Sequence, residues 1–409
     1  MVQNTSVQEG ETTTGDTPDK TPSTSLATRP PTVLQVLPEL VTGGVERGTV
    51  DIAGAIVEGG GRSIVASAGG PMIHELSRLG SEHVELPVQS KNPFVMRKNV
   101  QRLAELATAE NVHIIHGRSR AAAWSALYAA RKAGKHFVTT FHGTYGHTNR
   151  LKRAYNSVMT KGEKVIAISD FIAGHIRQVY GVPAANIRVI PRGVDIALFD
   201  SDAVSKERII GQADKWRLPD GVPVIMLPGR LTRWKGQTVF IEAIKELGRT
   251  DVQCLMVGSD QGRYDYRKEL EREIESHGMT GSIHVIDHCD DMPAAYMLTD
   301  IVVSASLEPE AFGRVAAEAQ ALGRPVIASD HGGARETVIH GETGWLTPPG
   351  DAKALAETIN TVLDRSESER QDMAERAKSH IREHFSKERM CEWTLDVYNE
   401  VLSADPATP

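Results

Sequence analysis

The sequence alternates short apolar runs with segments whose apolar residues recur at helical spacing, and this alternation occurs in two successive series. The first series lies between residues 33 and 190, and the second between residues 222 and 328. Alternating strand and helix patterns are typical of βαβ units, in which parallel strands form a sheet covered by helices. The sequence therefore predicts an α/β fold with two Rossmann-like, doubly wound parallel sheets.

A chain of 409 residues exceeds the usual size of one hydrophobic core, so two domains are expected. We assign residues 31–200 and 201–385 to these domains, with a hinge in the polar segment 200–220. Residues 386–409 have the spacing of a last amphipathic helix. Residues 1–30 are rich in Thr, Ser and Pro and predict a disordered tail. The expected strands are residues 33–37, 63–66, 84–86, 112–115, 136–141, 165–168, 187–190, 222–227, 254–257, 283–286, 301–304 and 326–328.

Composition indicates the cellular compartment in which the protein is expected. The chain has three cysteines and no Cys-x-x-Cys spacing, which is typical of a reducing compartment. No run of eighteen apolar residues and no secretory pattern occurs, so a cytoplasmic protein is expected. Residues 31–200 carry 20 Lys and Arg against 13 Asp and Glu, whereas residues 201–409 carry 24 against 36. A basic first half is compatible with an anionic acceptor or membrane surface, and equally with ordinary solvated faces.

Polar motifs follow four of the expected strands. The first is Gly43-Gly44, and the second is His142 after residues 136–141. The third is the loop with Arg230 and Lys235, and the fourth is the loop and helix start from Glu310 to Glu318. Because parallel sheets bind ligands at the carboxyl ends of their strands, we expect these motifs to face one cleft between the two sheets.

The residue types in these motifs suit a phosphate and a polyhydroxylated group. Arg230 and Lys235 are spaced to converge on one diphosphate. Backbone amides at two helix starts, listed here, add anion donors: Gly43, Gly44, Gly313, Arg314 and Val315. Glu310 and Glu318 flank the second helix start and offer acceptors for hydroxyl groups. Taken alone, two such glutamates are more often solvated surface residues.

Taken in order, these segments resemble the nucleotide-binding half of the retaining glycosyltransferases of family 4, which have the two-Rossmann GT-B fold. The resemblance extends from about Pro31 to the C-terminus and is carried by residues 228–236, 310–318, 323–328, 331–336 and 341–346. It implies an N-terminal acceptor domain, a C-terminal nucleotide-sugar domain and a last helix that packs back on the first domain.

The resemblance also implies roles for single residues. Arg230 and Lys235 would bind the diphosphate. His142 and Glu310 would contact the donor sugar, and Glu318 the ribose. The segment Phe312 to Val315 would line the same site, and the glycine-rich loop would lie beside the diphosphate and the acceptor. In this family the leaving phosphate is thought to help deprotonate the acceptor, so neither glutamate would be a nucleophile.

The expected activity is transfer of a hexose from a UDP- or GDP-linked sugar to a glycan, lipid-linked or inositol-type acceptor in envelope polysaccharide, lipopolysaccharide or glycolipid synthesis. Two alternatives are a nucleotide-sugar epimerase of the same fold and a non-catalytic subunit that binds nucleotide sugars. We expect no cofactor, no essential metal and no nucleic-acid partner, with peripheral contact to the inner membrane as a further hypothesis.

Three features are set aside or left open. His113 and His116 alternate along a strand and point to opposite faces, which does not suit a shared metal. The Asp-x-Asp of Asp200 and Asp202 lies in the expected hinge rather than at a strand end. Arg192 occupies a position where the family usually has Asn, and its role stays open.

Overall fold

The computed structural model describes residues 30–41, 43–146 and 149–404. Its strands form two fully parallel sheets. The first sheet, in the order β3-β2-β1-β4-β5-β6-β7, consists of β1 Thr32–Val36, β2 Arg62–Ser67, β3 Glu82–Glu85, β4 Ile114–Gly117, β5 His136–Phe141, β6 Lys164–Ala167 and β7 Ile187–Val189. The second, in the order β10-β9-β8-β11-β12-β13, consists of β8 Val224–Pro228, β9 Gln253–Val257, β10 Ile283–Ile286, β11 Ile301–Ser304, β12 Val326–Ser329 and β13 Trp345–Thr347.

Helices connect successive strands and cover the sheets. In the first half they are α1 Gly44–Glu58, α2 Ile73–Arg78, α3 Pro93–Ala109, α4 Arg120–Ala133, α5 Arg150–Asn156 and α6 Asp170–Tyr180. In the second half they are α7 Lys206–Trp216, α8 Gln237–Leu247, α9 Tyr264–Ser276, α10 Met292–Met297, α11 Arg314–Ala321, α12 Ala334–Thr337, α13 Ala352–Leu363, α14 Glu367–His384 and α15 Lys387–Ser403.

Both sheets have the strand order of a Rossmann fold, so the predicted fold class is confirmed. In each, the order reverses beside the first strand, between β1 and β4 in one and between β8 and β11 in the other. The buried strands are rich in Val, Ile and Leu, as expected for strands covered by helices on both faces. Ligands bind where strand order reverses, at the carboxyl ends of the strands. The loops after β1, β4, β8 and β11 therefore lie at the expected cleft.

The structure differs from the sequence prediction in the hinge, in one added strand and in several strand limits, among them β4, which begins two residues later than expected. The expected hinge contains α7, which begins after the N-cap Ser205 and packs Ile209 and Trp216 against the core. Strand β13 was not predicted, because three residues are too short to show a periodic pattern. Helix α11 begins at Arg314, because Gly313 adopts a left-handed conformation with φ 93°, and Glu318 lies just over one turn into this helix.

Helix α15 packs on the first sheet. Its buried residues Met390, Val397 and Val401 join a core cluster with Val33 of β1 and Ile52 of α1. The chain thus crosses back from the second half to the first half. The exact domain limits stay predictions, and the predicted tail lies outside the described residues except for Pro30.

Candidate active site

A cleft of about 850 Å³ lies between the two sheets at their carboxyl ends. Its lining comes from the loops after β1, β5 and β7 on one wall and from the loops after β8 and β11 on the other. All eleven residues selected from the sequence line it, namely Gly43, Gly44, His142, Arg230, Lys235, Glu310, Phe312, Gly313, Arg314, Val315 and Glu318. Their roles stay predictions, but the structure brings them together.

The loop after β8 carries the two predicted phosphate-binding cations. Lys235 is held near the cleft because the next residue, Gly236, has φ 75° and approaches the carbonyl oxygen of Ala305 too closely for any side chain. Arg230 is exposed, and its Nη1 is 3.5 Å from Oε1 of Gln261. Arg233 points to solvent and pairs with Glu269. The loop therefore presents two cations to the cleft and one away from it.

Glu310 is the partner of Lys235. The Lys235 ammonium donates to Oε1 of Glu310 at 2.7 Å. The hydroxyls of Ser306 and Ser304 donate to the same oxygen at 2.6 and 3.3 Å. Burial opposes the charge of Glu310, but Lys235 and the two hydroxyls outweigh it and hold its pKa below the usual range. Glu310 is thus an ionised acceptor at neutral pH, with Oε2 turned away from these donors.

Glu318 belongs to a separate polar group on α11. Its Oε1 accepts from Arg314 Nη2 at 2.6 Å and Nε at 3.1 Å, and its Oε2 accepts from the Tyr296 hydroxyl at 3.1 Å. The Glu318 carboxylate raises the pKa of Arg314. Burial, followed by the charge of Glu318, raises the pKa of Tyr296 well above 10. The Glu318 carboxylate is thereby fixed in orientation at the floor of the cleft. Tyr296 was not identified from the sequence, because it lies inside a short helix away from every motif.

Arg192, whose role the sequence left open, also lines the cleft. It follows β7, and its guanidinium donates to Nδ1 of His142 at 2.8 Å and to the carbonyl oxygen of Gly44. Since an arginine can only donate, Nδ1 of His142 accepts and Nε2 carries the proton. Burial, and then the charge of Arg192, lowers the pKa of His142 well below 6.5. The imidazole is therefore neutral at physiological pH. The sequence signal that could have identified Arg192 is its position as a basic residue shortly after an expected strand.

The pKa of the Arg192 guanidinium is itself lowered. Burial, followed by repulsion from Arg118 and Arg314, lowers its pKa to about 9. Gly44 begins α1 beside it, and a Cβ there would lie 3.3 Å from Arg192 and 3.5 Å from Arg314. The glycine at this helix start thus lets two cations approach the backbone amides of α1. Arg192 thus brings a buried positive charge to this wall of the cleft, which Glu46 also lines.

The described residues show neither a metal-binding cluster nor a membrane-spanning helix. Within the described ranges, no group of three or more His, Cys, Asp or Glu side chains is placed to hold a metal ion. His116 is buried between the Tyr398 hydroxyl at 2.7 Å and Thr140 Oγ1 at 2.8 Å, and His113 accepts from the amide of Thr32.

In the part of the chain that the structure describes, no helix has both the length and the apolar character needed to cross a membrane.

Two Rossmann-like sheets that face each other across a cation-lined cleft define the GT-B class of glycosyltransferase folds. The chain belongs to the glycosyltransferases of group 1 and family 4. The model for "Glycosyltransferase Family 4" matches residues 42–198, and the model for "Glycosyl transferases group 1" matches residues 211–380. The family resemblance predicted from the sequence is confirmed.

Solved structures with similar folds cover nearly the whole chain. A glycosyltransferase from Rickettsia africae is 38% identical with a TM-score of 0.86, and the match covers 92% of this chain and 99% of that one. Anabaena Alr3699/HepE, solved in complex with UDP and glucose, is 26% identical with a TM-score of 0.78, and the match covers 90% and 98%.

Characterised relatives match over shorter regions. A D-inositol 3-phosphate glycosyltransferase from Xylanimonas cellulosilytica is 30% identical over 258 residues, 60% of each chain. A lipopolysaccharide 1,2-N-acetylglucosaminetransferase from Salmonella typhimurium is 27% identical over 240 residues, 56% of this chain and 60% of its own. The matched regions thus span about 60% of the length of these two relatives.

Proposed function

We propose that this protein transfers a hexose, with retention of configuration, from a nucleoside diphosphate sugar to a hydroxyl of a glycan, lipid-linked or inositol-type acceptor. The observation that carries the proposal is the convergence on one cleft of Arg230 and Lys235 after β8 with Glu310 and Glu318 after β11. A transferase of this kind must stabilise a departing diphosphate and orient a sugar. The cleft offers a group for each task.

The diphosphate is assigned to Arg230, Lys235 and the first amides of α11. These donors lie on the wall formed by the second sheet, and positive charge from Arg192 adds to the field from the opposite wall. Negative charge on the phosphate grows as the bond to the sugar breaks, so each cation binds the transition state more strongly than the substrate. This supports turnover without a bound metal.

The sugar is assigned to Glu310 and His142. Glu310 presents an ionised carboxylate whose Oε2 can accept from a sugar hydroxyl, while Oε1 stays with Lys235. His142 is neutral and has its Nε2 proton available for a sugar oxygen, because Arg192 occupies Nδ1. The bond from the anomeric carbon to the phosphate oxygen breaks, the bond to the acceptor oxygen forms on the same face, and the acceptor proton moves to the leaving phosphate.

Two relatives support the class of donor that we propose. Anabaena Alr3699/HepE, 25% identical to this chain, has been solved in complex with UDP-glucose. A GDP-mannose-dependent phosphatidylinositol monomannoside mannosyltransferase from Mycolicibacterium smegmatis is 28% identical over 250 residues. These names support a uridine- or guanosine-linked donor. Acceptors named for the relatives, which are an inositol phosphate and lipopolysaccharide, support an envelope or glycolipid product.

A binding screen and a transfer assay test the proposal. Each UDP- and GDP-linked sugar is added at saturating concentration, and unfolding is followed by thermal shift. A ligand present at a hundred times its Kd should stabilise the protein by about 2.7 kcal/mol. Donor hydrolysis should persist in EDTA. The proposal fails if no nucleotide sugar stabilises the protein, if hydrolysis requires added manganese, or if the bound sugar is epimerised instead of transferred.

A further inference from the structure

Arg192 joins two separate parts of the first-sheet wall of the cleft. Its side chain is only 9% exposed, although an arginine is usually a surface residue. Its Nη2 donates to Nδ1 of His142 at 2.8 Å, and its Nη1 donates to the carbonyl oxygen of Gly44. One buried guanidinium therefore contacts both the histidine assigned to the sugar and the glycine-rich start of α1.

Helix α1 is shaped to admit this guanidinium. A Cβ on Gly44 would lie 3.3 Å from Arg192 Cζ, and a Cβ on Gly48 would lie 3.4 Å from Arg192 Nη1. The two glycines are four positions apart and therefore share one face of the helix. A side chain at either position would crowd Arg192 out of its place, since protein interiors have little free volume. Packing and two hydrogen bonds thus fix the guanidinium together.

An arginine orients a histidine in the opposite sense to a carboxylate. A carboxylate or carbonyl oxygen accepts from Nδ1–H and leaves Nε2 as the proton acceptor, as in hydrolases that use His as a base. An arginine can only donate, so Nδ1 of His142 must accept and Nε2 must carry the proton. The positive charge at Nδ1 also polarises the ring and strengthens donation by Nε2–H. His142 is thereby a hydrogen-bond donor and cannot act as a base through Nε2.

The surroundings of His142 hold it in this state. Burial, and then the charges of Arg192 and Arg118, keep its pKa well below 6.5, so that the ring stays neutral and has a defined tautomer. His142 lines the cleft, and among the described residues its Nε2 has no hydrogen-bond partner. A shielded donor is unfavourable unless it meets an acceptor. A sugar oxygen in the cleft would meet this need.

We propose that Arg192 is a positioning residue that fixes His142 as a hydrogen-bond donor toward the transferred sugar. The inference rests on the proposed transferase function. It adds that the sugar group facing His142 is recognised through an oxygen lone pair, and that His142 does not deprotonate the acceptor. The family usually has asparagine where Arg192 stands, and asparagine carries no charge. The polarisation of His142 therefore comes from a residue by which this chain departs from the family.

Nuclear magnetic resonance of the full-length protein with ¹⁵N-labelled histidine tests the tautomer directly at neutral pH. Two-bond ¹H–¹⁵N spectra distinguish a protonated Nε2 from a protonated Nδ1, and His142→Gln identifies the signal among the 15 histidines. We expect protonation at Nε2 in the unsubstituted protein and in Arg192→Lys, since lysine can also donate to Nδ1. Arg192→Met should give a mixture of tautomers. The control is Arg177→Met on α6, which removes an equally charged but exposed side chain.

Donor hydrolysis tests whether Arg192 acts through His142. The substrate is the UDP- or GDP-linked sugar that gives the largest thermal stabilisation. Arg192→Met should lower kcat/KM by about tenfold or more, and Arg192→Lys should retain most of the activity. The double variant with His142→Gln should equal His142→Gln alone within about twofold, because the effect of Arg192 depends on the histidine. A role in folding alone would move neither the tautomer nor this coupling.

Three results would overturn the inference. The first is protonation of His142 at Nδ1 in the unsubstituted protein, which remains decisive even if Arg192→Met does not fold. The second is an unchanged Nε2 tautomer in folded Arg192→Met. The third is a double variant that loses the product of the two single losses.

The tautomer is measured without any ligand, so this test is separate from the proposed function. If His142 is protonated at Nε2 in the way described but no nucleotide sugar stabilises the protein, the proposed transferase function fails and the orientation of His142 by Arg192 stands. If nucleotide sugars bind and are hydrolysed but the tautomer differs, the proposed function stands and the role of Arg192 is contradicted.

Discussion

At the scale of single residues, the cleft contains two separate carboxylate groups with different partners. Glu310 is held by Lys235 and two serine hydroxyls, whereas Glu318 is held by Arg314 and Tyr296. Glu310 is the proposed partner of the donor sugar, and Glu318 is the proposed partner of the ribose. Substitutions in the two groups should therefore have different effects.

Lys235→Ala should lower the rate of transfer by about 10- to 1,000-fold, because the departing phosphate loses a charge-assisted contact worth about 1.5 to 4 kcal/mol. The rate is measured with saturating donor and acceptor. Arg233→Ala is the matched control, since Arg233 belongs to the same loop but pairs with Glu269 in solvent. Normal turnover of the Lys235 variant, or an equal loss in the control, would contradict the assignment.

Glu318→Gln should weaken both free nucleoside diphosphate and nucleotide sugar, because its proposed partner is the ribose. Glu310→Gln should spare the free nucleoside diphosphate and weaken only the sugar-dependent steps. Each lost hydrogen bond to a charged group is worth about 1.5 to 3 kcal/mol, or roughly 10- to 150-fold in affinity. Calorimetric titration of both variants with both ligands measures the difference.

Equal losses of nucleoside diphosphate affinity in the two glutamate variants would show that their roles are not divided in this way. Unchanged binding and transfer in both would mean that the pair serves only the structure of the loop and helix. The ion pair between Arg314 and Glu318 makes unfolding a necessary control. Each variant is therefore also compared with the unsubstituted protein by urea denaturation.

At the scale of elements, α15 is the helix that ties the end of the described chain to the first sheet. Its Tyr398 is fully buried and its hydroxyl contacts His116 of β4, which also contacts Thr140 of β5. Burial lowers the pKa of His116 well below 6.5, so the imidazole is neutral. The helix is thus fixed to the sheet by apolar packing, by this polar chain of three side chains, and by Glu400 of α15, which pairs with Lys164 of β6 and Arg188 of β7.

Tyr398→Phe should lower the free energy of unfolding by about 1 to 3 kcal/mol, because it removes one hydrogen bond and leaves a buried nitrogen of His116 without its partner. Urea denaturation followed by circular dichroism measures the change. Tyr264→Phe is the control, since the Tyr264 side chain on α9 is largely exposed. Equal stability of both variants would show that the contact between Tyr398 and His116 does not contribute to the docking of α15.

At the scale of the whole molecule, the two halves meet at the start of α6. The carboxylate of Glu336, at the end of α12, accepts from the amides of Asp170 and Phe171 at 2.8 Å each. The hydroxyl of Ser169 donates to the carbonyl oxygen of Ala311 at 2.6 Å. A carboxylate at a helix N-terminus is favourable because of the unpaired amides and the helix dipole. This contact stabilises the arrangement in which both walls face the cleft.

Glu336→Gln should weaken this contact by about 1 kcal/mol, which is roughly a fivefold change in an equilibrium constant. We expect a larger radius of gyration by small-angle scattering and a higher KM for the donor, with unfolding little changed. Glu342→Gln is the control, because Glu342 is exposed and lies in the same half of the chain. An unchanged radius of gyration and KM would show that the contact does not control the separation of the two halves.

The sequence by itself determined the fold class and the location of the cleft. Strands such as β5 and β10 were predicted to the residue, because an apolar run between polar turns is a local pattern. The motifs at the ends of β8 and β11 were found for the same reason. All eleven residues selected from the sequence line one cleft, since parallel sheets place the ends of their strands together.

Only the tertiary structure decided which charges meet. Arg192 contacts His142 and Gly44, although it is 50 and 148 positions away from them in the chain. The return of α15 to the first sheet is likewise invisible in any local pattern. Periodicity reports the neighbours of a residue along the chain, whereas these contacts depend on loop paths and on how two sheets pack. Their energies arise from burial, which exists only once the whole chain has folded.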